Sequence, residues 1–301
     1  MTVRKTFIAA ALTLLFATSG NLAAQSTALG FIRIDRNPRT SAFAGAGTAS
    51  VGNGAYAAFK GAATLPSLPG LGDAFASVQL WQMSNEVDKS THLAAGTGFR
   101  FGKFGVALGG VYQKSVPLGD FTPSDYLVSL GLSYQPLEVL AVGLNVRYAG
   151  QNLAPSAKTG GVSVDVSLLG KIGPEFTVSG TVAGLGPKVK GSVAEYSQPA
   201  YAGIGLAWKH ALAAEHGIEL MLDGEYGFDN APAAAVGAEY AYDNLVFLRV
   251  GYRVAGKNAV IPSHLALGFG LRIQGFRADI SYLTASPVLG NTLSFGVGFS
   301  F

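Results

Sequence analysis

The residues most able to form a reactive or ion-binding site in this sequence are carboxylates and arginines whose spacing places them on the same strand faces. Glu219, Asp223 and Glu225 occupy alternate positions of one segment, so an extended strand places them on one face. Arg249 and Arg253 share a face of a later segment in the same way. Such groups suit an acid site, a transport pathway or an internal network of ion pairs. The choice depends on what the strands enclose.

Patterns typical of enzymes and metal sites are missing from the sequence. No G-x-S-x-G nucleophile elbow occurs, and "GAGTAS" at 45–50 lacks the third glycine and the βαβ context of a dinucleotide fingerprint. Cysteine is absent, and the histidines have no partner at metal-ligand spacing: His92, His210, His216 and His264. We therefore expect no enzyme activity, no cofactor and no metal site.

The segments that carry these charged residues have the pattern of consecutive β-strands. From residue 73 onward, segments of about 10 to 13 residues alternate apolar and polar side chains and are separated by Gly, Pro, Asn or Asp. We predict fourteen: Asp73–Met83, Thr91–Phe101, Phe104–Lys114, Asp125–Gln135, Glu138–Ala149, Gly161–Leu169, Glu175–Gly184, Pro199–His210, His216–Tyr226, Pro232–Tyr242, Leu245–Ala255, Ser263–Ile273, Phe276–Thr284 and Thr292–Phe301.

Composition indicates where these strands lie. Charged residues make up 13% of the chain and hydrophobic ones 49%, and short and long connections mostly alternate along the chain. An eleven-residue strand tilted by about 40° spans roughly 28 Å, which matches a bilayer core. The sequence therefore predicts an all-β fold, a transmembrane antiparallel β-barrel of about fourteen strands in a Gram-negative outer membrane. Tyrosines near the strand ends would face lipid headgroups: Tyr112, Tyr126, Tyr134, Tyr148, Tyr226, Tyr242 and Tyr282.

The N-terminal residues carry the pattern of a secretory signal. Arg4 and Lys5 precede the apolar run 7–17, and Leu22-Ala23-Ala24 offers small residues for cleavage. We predict a signal peptide over residues 1–24, a plug segment over 25–72 and the barrel over 73–301. Without Arg4 and Lys5 the formal charge of +3 falls to +1, so the basic pI indicates no nucleic-acid partner.

A barrel of fourteen strands encloses more space than its own side chains fill. Residues 25–72 lack strand periodicity, and the small residues of "SAFAGAGTAS" suit packing inside the barrel. We predict a partly helical plug, held by ion pairs rather than forming an acid site. The candidate residues of this network are Arg33, Asp35, Arg36, Arg39, Asp165, Glu219, Asp223, Glu225, Glu239, Arg249, Arg253 and Arg272.

The C-terminal strand keeps its alternation to the last residue. Phe295, Phe299 and Phe301 share one face with Leu293 and Val297. Because a closed barrel has no free edge, this strand must pair with the first. Its aromatic end resembles the signal that outer-membrane assembly machinery recognises; the alternative is an ordinary closing strand.

The segment "NPRTSAFAGAGTASVGNGAYAAFKGAATL" resembles the opening signature of the PorV/PorQ family of Bacteroidota outer-membrane proteins. The positions that match this signature are Arg39, Gly45, Gly47, Ala49, Ala57, Phe59, Ala62 and Leu65. The segment departs from it at two places: the family usually has Asn-Pro where this chain has Lys60-Gly61, and Met-Gly where it has Phe43-Ala44. The resemblance implies a fourteen-stranded barrel of the fatty-acid-transporter (FadL) type. Some members of the family serve the type IX secretion system.

Two functional hypotheses follow. The first is an accessory or docking component of a surface-protein or type IX secretion complex, with loops 114–125, 150–161 and 184–198 as the contact surfaces. The alternative is passive transport of a hydrophobic small molecule, as in FadL-type barrels. It expects an apolar pocket beside the plug and a wall opening where a Gly-rich strand such as "FGVALGG" or "AYAGIGLAW" is kinked. The expected partners are outer-membrane lipid, the assembly machinery and secretion or surface proteins.

Overall fold

The computed structural model describes residues 27–81, 90–117, 119–155, 157–191, 194–229, 231–257, 259–286 and 290–301. The predicted signal peptide lies outside these residues. In the described part of the chain, sixteen strands occur: β1 Gly72–Trp81, β2 Ser90–Phe101, β3 Phe104–Ser115, β4 Ser124–Leu137, β5 Leu140–Ala154, β6 Ala157–Ile172, β7 Phe176–Leu185, β8 Val189–Lys190, β9 Glu195–Tyr196, β10 Tyr201–Ala211, β11 His216–Gly227, β12 Ala231–Tyr242, β13 Val246–Ala255, β14 His264–Ile273, β15 Phe276–Thr284 and β16 Thr292–Ser300.

All of these strands except β8 and β9 form one closed antiparallel barrel. Neighbours along the chain pair with each other, β7 pairs with β10, and β1 pairs with β16. The predicted fourteen-stranded barrel is therefore confirmed. β8 and β9 form a separate two-stranded hairpin within the connection between β7 and β10, which the sequence pattern does not reveal.

Alternation along the strands sorts side chains between the lipid-facing surface and the lumen. On β5, Leu144 and Tyr148 are exposed, whereas Asn145 and Arg147 between them are buried. Six of the seven predicted girdle tyrosines are exposed and Tyr282 is half-buried. The apolar side chains thus face outward, where lipid favours them, and the charged side chains face the lumen.

Tight turns occur at one end of the barrel. Asp243 and Asn244 both have positive φ (51° and 50°), which is the conformation of a two-residue type I′ hairpin turn. Another turn contains Glu175, whose carboxylate accepts hydrogen bonds from Trp208 Nε1 (2.8 Å) and pairs with His210 Nδ1 (2.7 Å). Both hydrogen bonds lower the pKa of this exposed carboxyl, and the bond to His210 has the larger effect. Short turns mark the periplasmic end of outer-membrane barrels.

The β1–β16 pairing closes the barrel at the last residue. Gly72 N donates to Phe301 O (2.9 Å) and Phe301 N donates to Gly72 O (3.0 Å). Phe301 packs edge-on against Phe99 on the lipid-facing surface, with ring centroids 6.0 Å apart. Phe295 and Phe299 also face outward. The final aromatic residue is thus part of the strand ladder that seals the barrel.

The Gly-rich strands do not carry the predicted kink. β3, which contains "FGVALGG", and β10, which contains "AYAGIGLAW", pair with both neighbours without a register shift. The prediction is wrong because glycines of β3 admit the plug instead: a Cβ on Gly109 would lie 2.7 Å from the ring of Phe59. Register shifts occur instead in the pairs β4–β5, β5–β6 and β6–β7, and beside the last of them Gly184 has a φ of +72°.

Residues 27–71 fill the lumen as the plug. They contain a short helix, α1 (Pro38–Ser41), and 3₁₀ turns at Gly30–Arg33, Val51–Ala58 and Ala62–Ser67. Thr27 pairs with Ser197 beside β9, at the end opposite the tight turns, and the plug runs from there to β1. No helix within the described ranges is long and apolar enough to cross a membrane.

Small residues let the plug contact the wall closely. Phe43 is fully buried, and its ring lies against Gly237 on β12 while its backbone lies against Gly251 on β13. A side chain at Gly251 would overlap the backbone of Phe43. The small residues of "SAFAGAGTAS" therefore serve the packing that the sequence predicts.

Deleting Phe301 should reduce the fraction of barrel that refolds in detergent, because both backbone bonds to Gly72 are lost. Phe301→Tyr keeps these bonds and an aromatic ring and is the matched control. Heat-dependent gel mobility separates folded from unfolded barrel. If assembly machinery also recognises Phe301, the deletion should reduce the amount of barrel in cell membranes more strongly than it reduces the fraction that refolds in detergent. Wild-type behaviour of the deletion in both assays would contradict the prediction.

Replacing Gly251 by Ala should destabilise the docked plug by about 1–3 kcal/mol, the usual cost of overpacking. Gly203→Ala is the matched control, since its added methyl finds its nearest neighbour at 3.4 Å, an ordinary contact. Limited proteolysis of the plug in detergent measures the difference. Equal cleavage of the two variants would show that the plug does not depend on this contact.

Candidate functional site: the charged lumen between plug and wall

Arg39 is the main polar connection between plug and barrel wall. Asn37 caps α1 by accepting a hydrogen bond from Arg39 N (3.1 Å), with Pro38 at the first helical position. The Arg39 side chain then donates to Glu239 Oε2 (3.1 Å) and to Glu219 Oε2 (2.9 Å). It is 2% exposed. A buried guanidinium of this kind requires carboxylate partners.

One wall carboxylate of this group, Glu239, is shared with Arg249. Arg249 Nε donates to Glu239 Oε2 (2.7 Å), and its Nη1 donates to Asp279 Oδ1 (2.5 Å). We call Arg39, Glu219, Glu239, Arg249 and Asp279 the anchor network. It links the plug to strands β11, β12, β13 and β15. The anchor network therefore fixes the plug to about a third of the barrel circumference.

A second ion-pair group lies nearer the outer end of the lumen. Arg33 Nη2 donates to Glu225 Oε1 (2.7 Å), and Arg253 pairs with the same oxygen. The Arg33 guanidinium also lies 3.8 Å above the ring centroid of Tyr201. Glu225 thus connects the start of the plug to β11 and β13.

Four predicted network residues have other surroundings. Asp35 accepts a hydrogen bond from Asn37 N within the plug, and Arg36 contacts His92 Nδ1 (2.5 Å) and Phe31 O (3.0 Å) rather than a carboxylate. Asp223 accepts from the plug backbone at Thr48 N (3.0 Å). Arg272 lies over the ring of Phe247, 4.5 Å from its centroid.

Asp165 is connected to the wall and not to the plug. It pairs with Arg147 of β5 and accepts a hydrogen bond from Gly184 N (2.8 Å). The sequence reading includes Asp165 but omits Arg147. The two residues occupy neighbouring rows of paired strands, and pairing register is not visible in sequence alone.

Asp73 is a further functional residue that the sequence reading omits. It pairs with Arg277 and accepts a hydrogen bond from the plug at Ala55 N (2.6 Å). Gly54 (φ 60°) makes this approach possible, because a Cβ there would lie 2.6 Å from Asp73 Oδ1. The strand start "GD" looks like an ordinary turn signal in the sequence.

Two adjoining cavities remain between plug and wall. The larger has a volume of about 100 Å³ and the smaller about 40 Å³. Asp35, Asn37, Gly45, Tyr56 and Lys60 line both. The remaining apolar side chains around the larger cavity are Ile32, Ile34, Ala44, Phe59, Trp81, Tyr201, Ile261 and Leu283.

Tyr56 and Lys60 are polar residues that line both cavities. The Tyr56 hydroxyl itself is shielded, close to Gly296 of β16, and has no partner at hydrogen-bonding geometry among the described residues. The Lys60 side chain is accessible and has no carboxylate within 4.0 Å among those residues. Lys60 therefore offers a polar group in a lining that combines apolar side chains with charged ones that bond to each other, such as Arg33, Glu225 and Arg253. Such a lining suits the binding of a small molecule with one polar end.

The fold and its lumen define the class of protein: a Gram-negative outer-membrane β-barrel with an internal N-terminal plug. No family model matches the sequence, and no curated protein matches it. Solved structures do match. The Pseudomonas putida toluene transporter TodX aligns with a TM-score of 0.60 and 14% identity, over 86% of this chain and 95% of that one. A Pseudomonas aeruginosa FadL homologue aligns with a TM-score of 0.58 and 11% identity, over 88% and 98%.

A TodX variant, described as a monoaromatic hydrocarbon channel, aligns with a TM-score of 0.57 and 13% identity over 83% of this chain and 95% of that one. At these identities the likeness concerns the fold. The chain thus has the FadL-type barrel fold that the family resemblance implies.

Replacing Arg39 by Ala should release the plug, because it leaves Glu219 and Glu239 buried with one fewer cation. Removing one partner of a buried pair typically costs about 3–5 kcal/mol. We expect larger and noisier ion conductance in planar bilayers. Lys257→Ala, which removes a cation from an exposed outer loop, is the control. Conductance of Arg39→Ala equal to that of wild type would show that other contacts suffice to hold the plug.

Proposed function

We propose that the protein is a passive outer-membrane channel for a small, largely hydrophobic molecule. The observation that carries this proposal is the pair of cavities between plug and wall, which Lys60 lines together with apolar side chains. The molecule would bind with its polar end at Lys60 and its apolar part against Ile32, Ile34 and Trp81. The FadL-type fold supports the proposal by analogy.

The plug makes this a closed channel that holds a ligand before releasing it. The larger cavity has a volume of about 100 Å³, which admits a small molecule. A still smaller gap of about 10 Å³ adjoins it at the outer end, beside Arg33 and Glu225. Onward passage would then require the plug to shift against the anchor network.

The docking role in a surface-protein or type IX secretion complex stays a prediction that rests on the PorV/PorQ resemblance. Its contact surface would be the outer hairpins, including β8–β9. Cross-linking and affinity purification from native membranes test it: recovery of the same secreted or surface protein in stoichiometric amounts would favour docking over transport.

Fluorescence of Trp81 tests the channel proposal directly. The chain has two tryptophans, Trp81 at the cavity and Trp208 near the periplasmic turns. In a Trp208→Phe variant, octanoate and toluene should change the emission of Trp81 saturably. A Trp81→Phe variant, which retains Trp208, is the control for partitioning into detergent. Identical changes in both variants would contradict ligand entry.

Lys60→Met refines the same experiment. We expect octanoate affinity to fall about tenfold or more, as for a lost hydrogen bond to a charged group, while toluene binding stays within about twofold. Uptake by proteoliposomes should follow the binding order. An unchanged octanoate affinity would remove Lys60 from the site.

A further inference from the structure

Lysines are concentrated on one side of the outer end of the barrel. Lys114 on β3, Lys158 on β6, and Lys188 and Lys190 near β8 are all exposed. The acidic residues described in the same loops are Asp120 and Glu195, and Glu195 lies opposite Lys190 in the strand register of β8 and β9. Asp125 on β4 does not reduce this charge at the surface, because it is buried toward the lumen. This side of the rim therefore carries a positive excess.

Two of these lysines belong to one outward-facing row of the sheet. Lys114 pairs with Ser124, Ser124 with Asn152, and Asn152 with Lys158. We call these four residues the lysine row. Strands lie about 4.8 Å apart, so the Cα atoms of Lys114 and Lys158 are separated by roughly 14 Å. The row faces outward because Lys114 shares its face with Tyr112, which is 48% exposed.

Tyrosines lie directly below the lysine row on the same surface. Tyr112 pairs with Tyr126 in the next row, and the rings of Tyr126 and Tyr148 are 6.1 Å apart. Gly150 and Gly160 leave room for these rings: a Cβ on Gly160 would lie 3.2 Å from the Tyr148 hydroxyl, and one on Gly150 would overlap Tyr126. Tyrosine belts mark the membrane–water interface. The lysine row therefore lies at the level of the lipid headgroups of the outer leaflet.

The periplasmic end has no comparable excess. There, Lys103, Lys171 and Lys209 occur with Glu138, Glu175 and Glu215, each in or next to a tight turn. The excess of positive charge is thus a feature of the outer rim that the periplasmic rim does not share.

We propose that the lysine row binds the phosphate groups of a doubly phosphorylated glycolipid in the outer leaflet. Two ammonium groups held on one row match two phosphates at opposite ends of a sugar headgroup, and charge-assisted hydrogen bonds stabilise such contacts. Ser124 and Asn152 between them offer partners for sugar hydroxyls. The tyrosine rings below contact the upper acyl chains.

Native mass spectrometry with diphosphoryl lipid A tests this assignment. The protein is purified in detergent as wild type, as K114Q/K158Q and as the charge-matched control K103Q/K209Q from the periplasmic end. We expect binding of diphosphoryl lipid A to fall on the order of tenfold in K114Q/K158Q, in keeping with about 1 kcal/mol for each lysine near an anionic surface. The control should bind like wild type. Heat-dependent gel mobility confirms that each variant is folded.

Three comparison probes identify the source of binding. Phosphate-free lipid A and phosphatidylglycerol should bind the wild type weakly, and free phosphate should not compete at millimolar concentration. The proposal is overturned if K114Q/K158Q binds diphosphoryl lipid A like wild type, if the control loses binding equally, or if the comparison lipids bind as well. Ligand entry, read from Trp81, is a separate measurement, so failure here leaves the channel proposal intact.

Discussion

Arg39 of the plug can stay inside the barrel only while wall carboxylates neutralise it. Arg39 is almost fully shielded from water, and lipid surrounds the wall on the other side, so its charge needs Glu219 and Glu239. This requirement couples the two parts of the molecule. The barrel places charged residues inward because they are costly in lipid, and the same residues then determine where the plug settles. Any state in which the plug moves must supply these groups with water or new partners.

The barrel is predictable from sequence because its signal is local. Period-two alternation and turn residues recur in every strand, so each strand is identified on its own residues. The inward orientation of the network residues is predictable for the same reason, because alternation along each strand indicates that Glu219, Glu239 and Arg249 face the lumen. The pairing of the two glutamates with Arg39 is an inference from charge alone. Local patterns say nothing about which strand row the plug reaches.

Features that depend on close approach or register are not predictable in this way. Asp73 meets Ala55 N because Gly54 permits it, and Arg147 meets Asp165 because two strands pair in one register. A glycine within a strand can indicate a kink or a close contact with another part of the chain, and the sequence alone does not distinguish the two. In β3 the close contact with the plug is the correct one. Lys60 becomes informative only when the cavity around it is seen.

The two ends of the plug are held with different strength, which bears on the proposed transport. At the outer end, Ala28 N donates to Ser197 O (3.0 Å) and the β8–β9 hairpin lies beside it. Deeper in the lumen the anchor network holds the plug through the two buried ion pairs of Arg39, with Glu219 and with Glu239. The outer end also has buried Leu29 and Phe31 and the Arg33–Glu225 ion pair, but that pair is more exposed to water than the Arg39 pairs. Its charges regain water more readily, so the outer ion pair should open at lower cost than the anchor network. In the proposed transport, a molecule arriving from outside would therefore reach Lys60 before the plug is displaced, and the cavity would act as a holding site between entry and release.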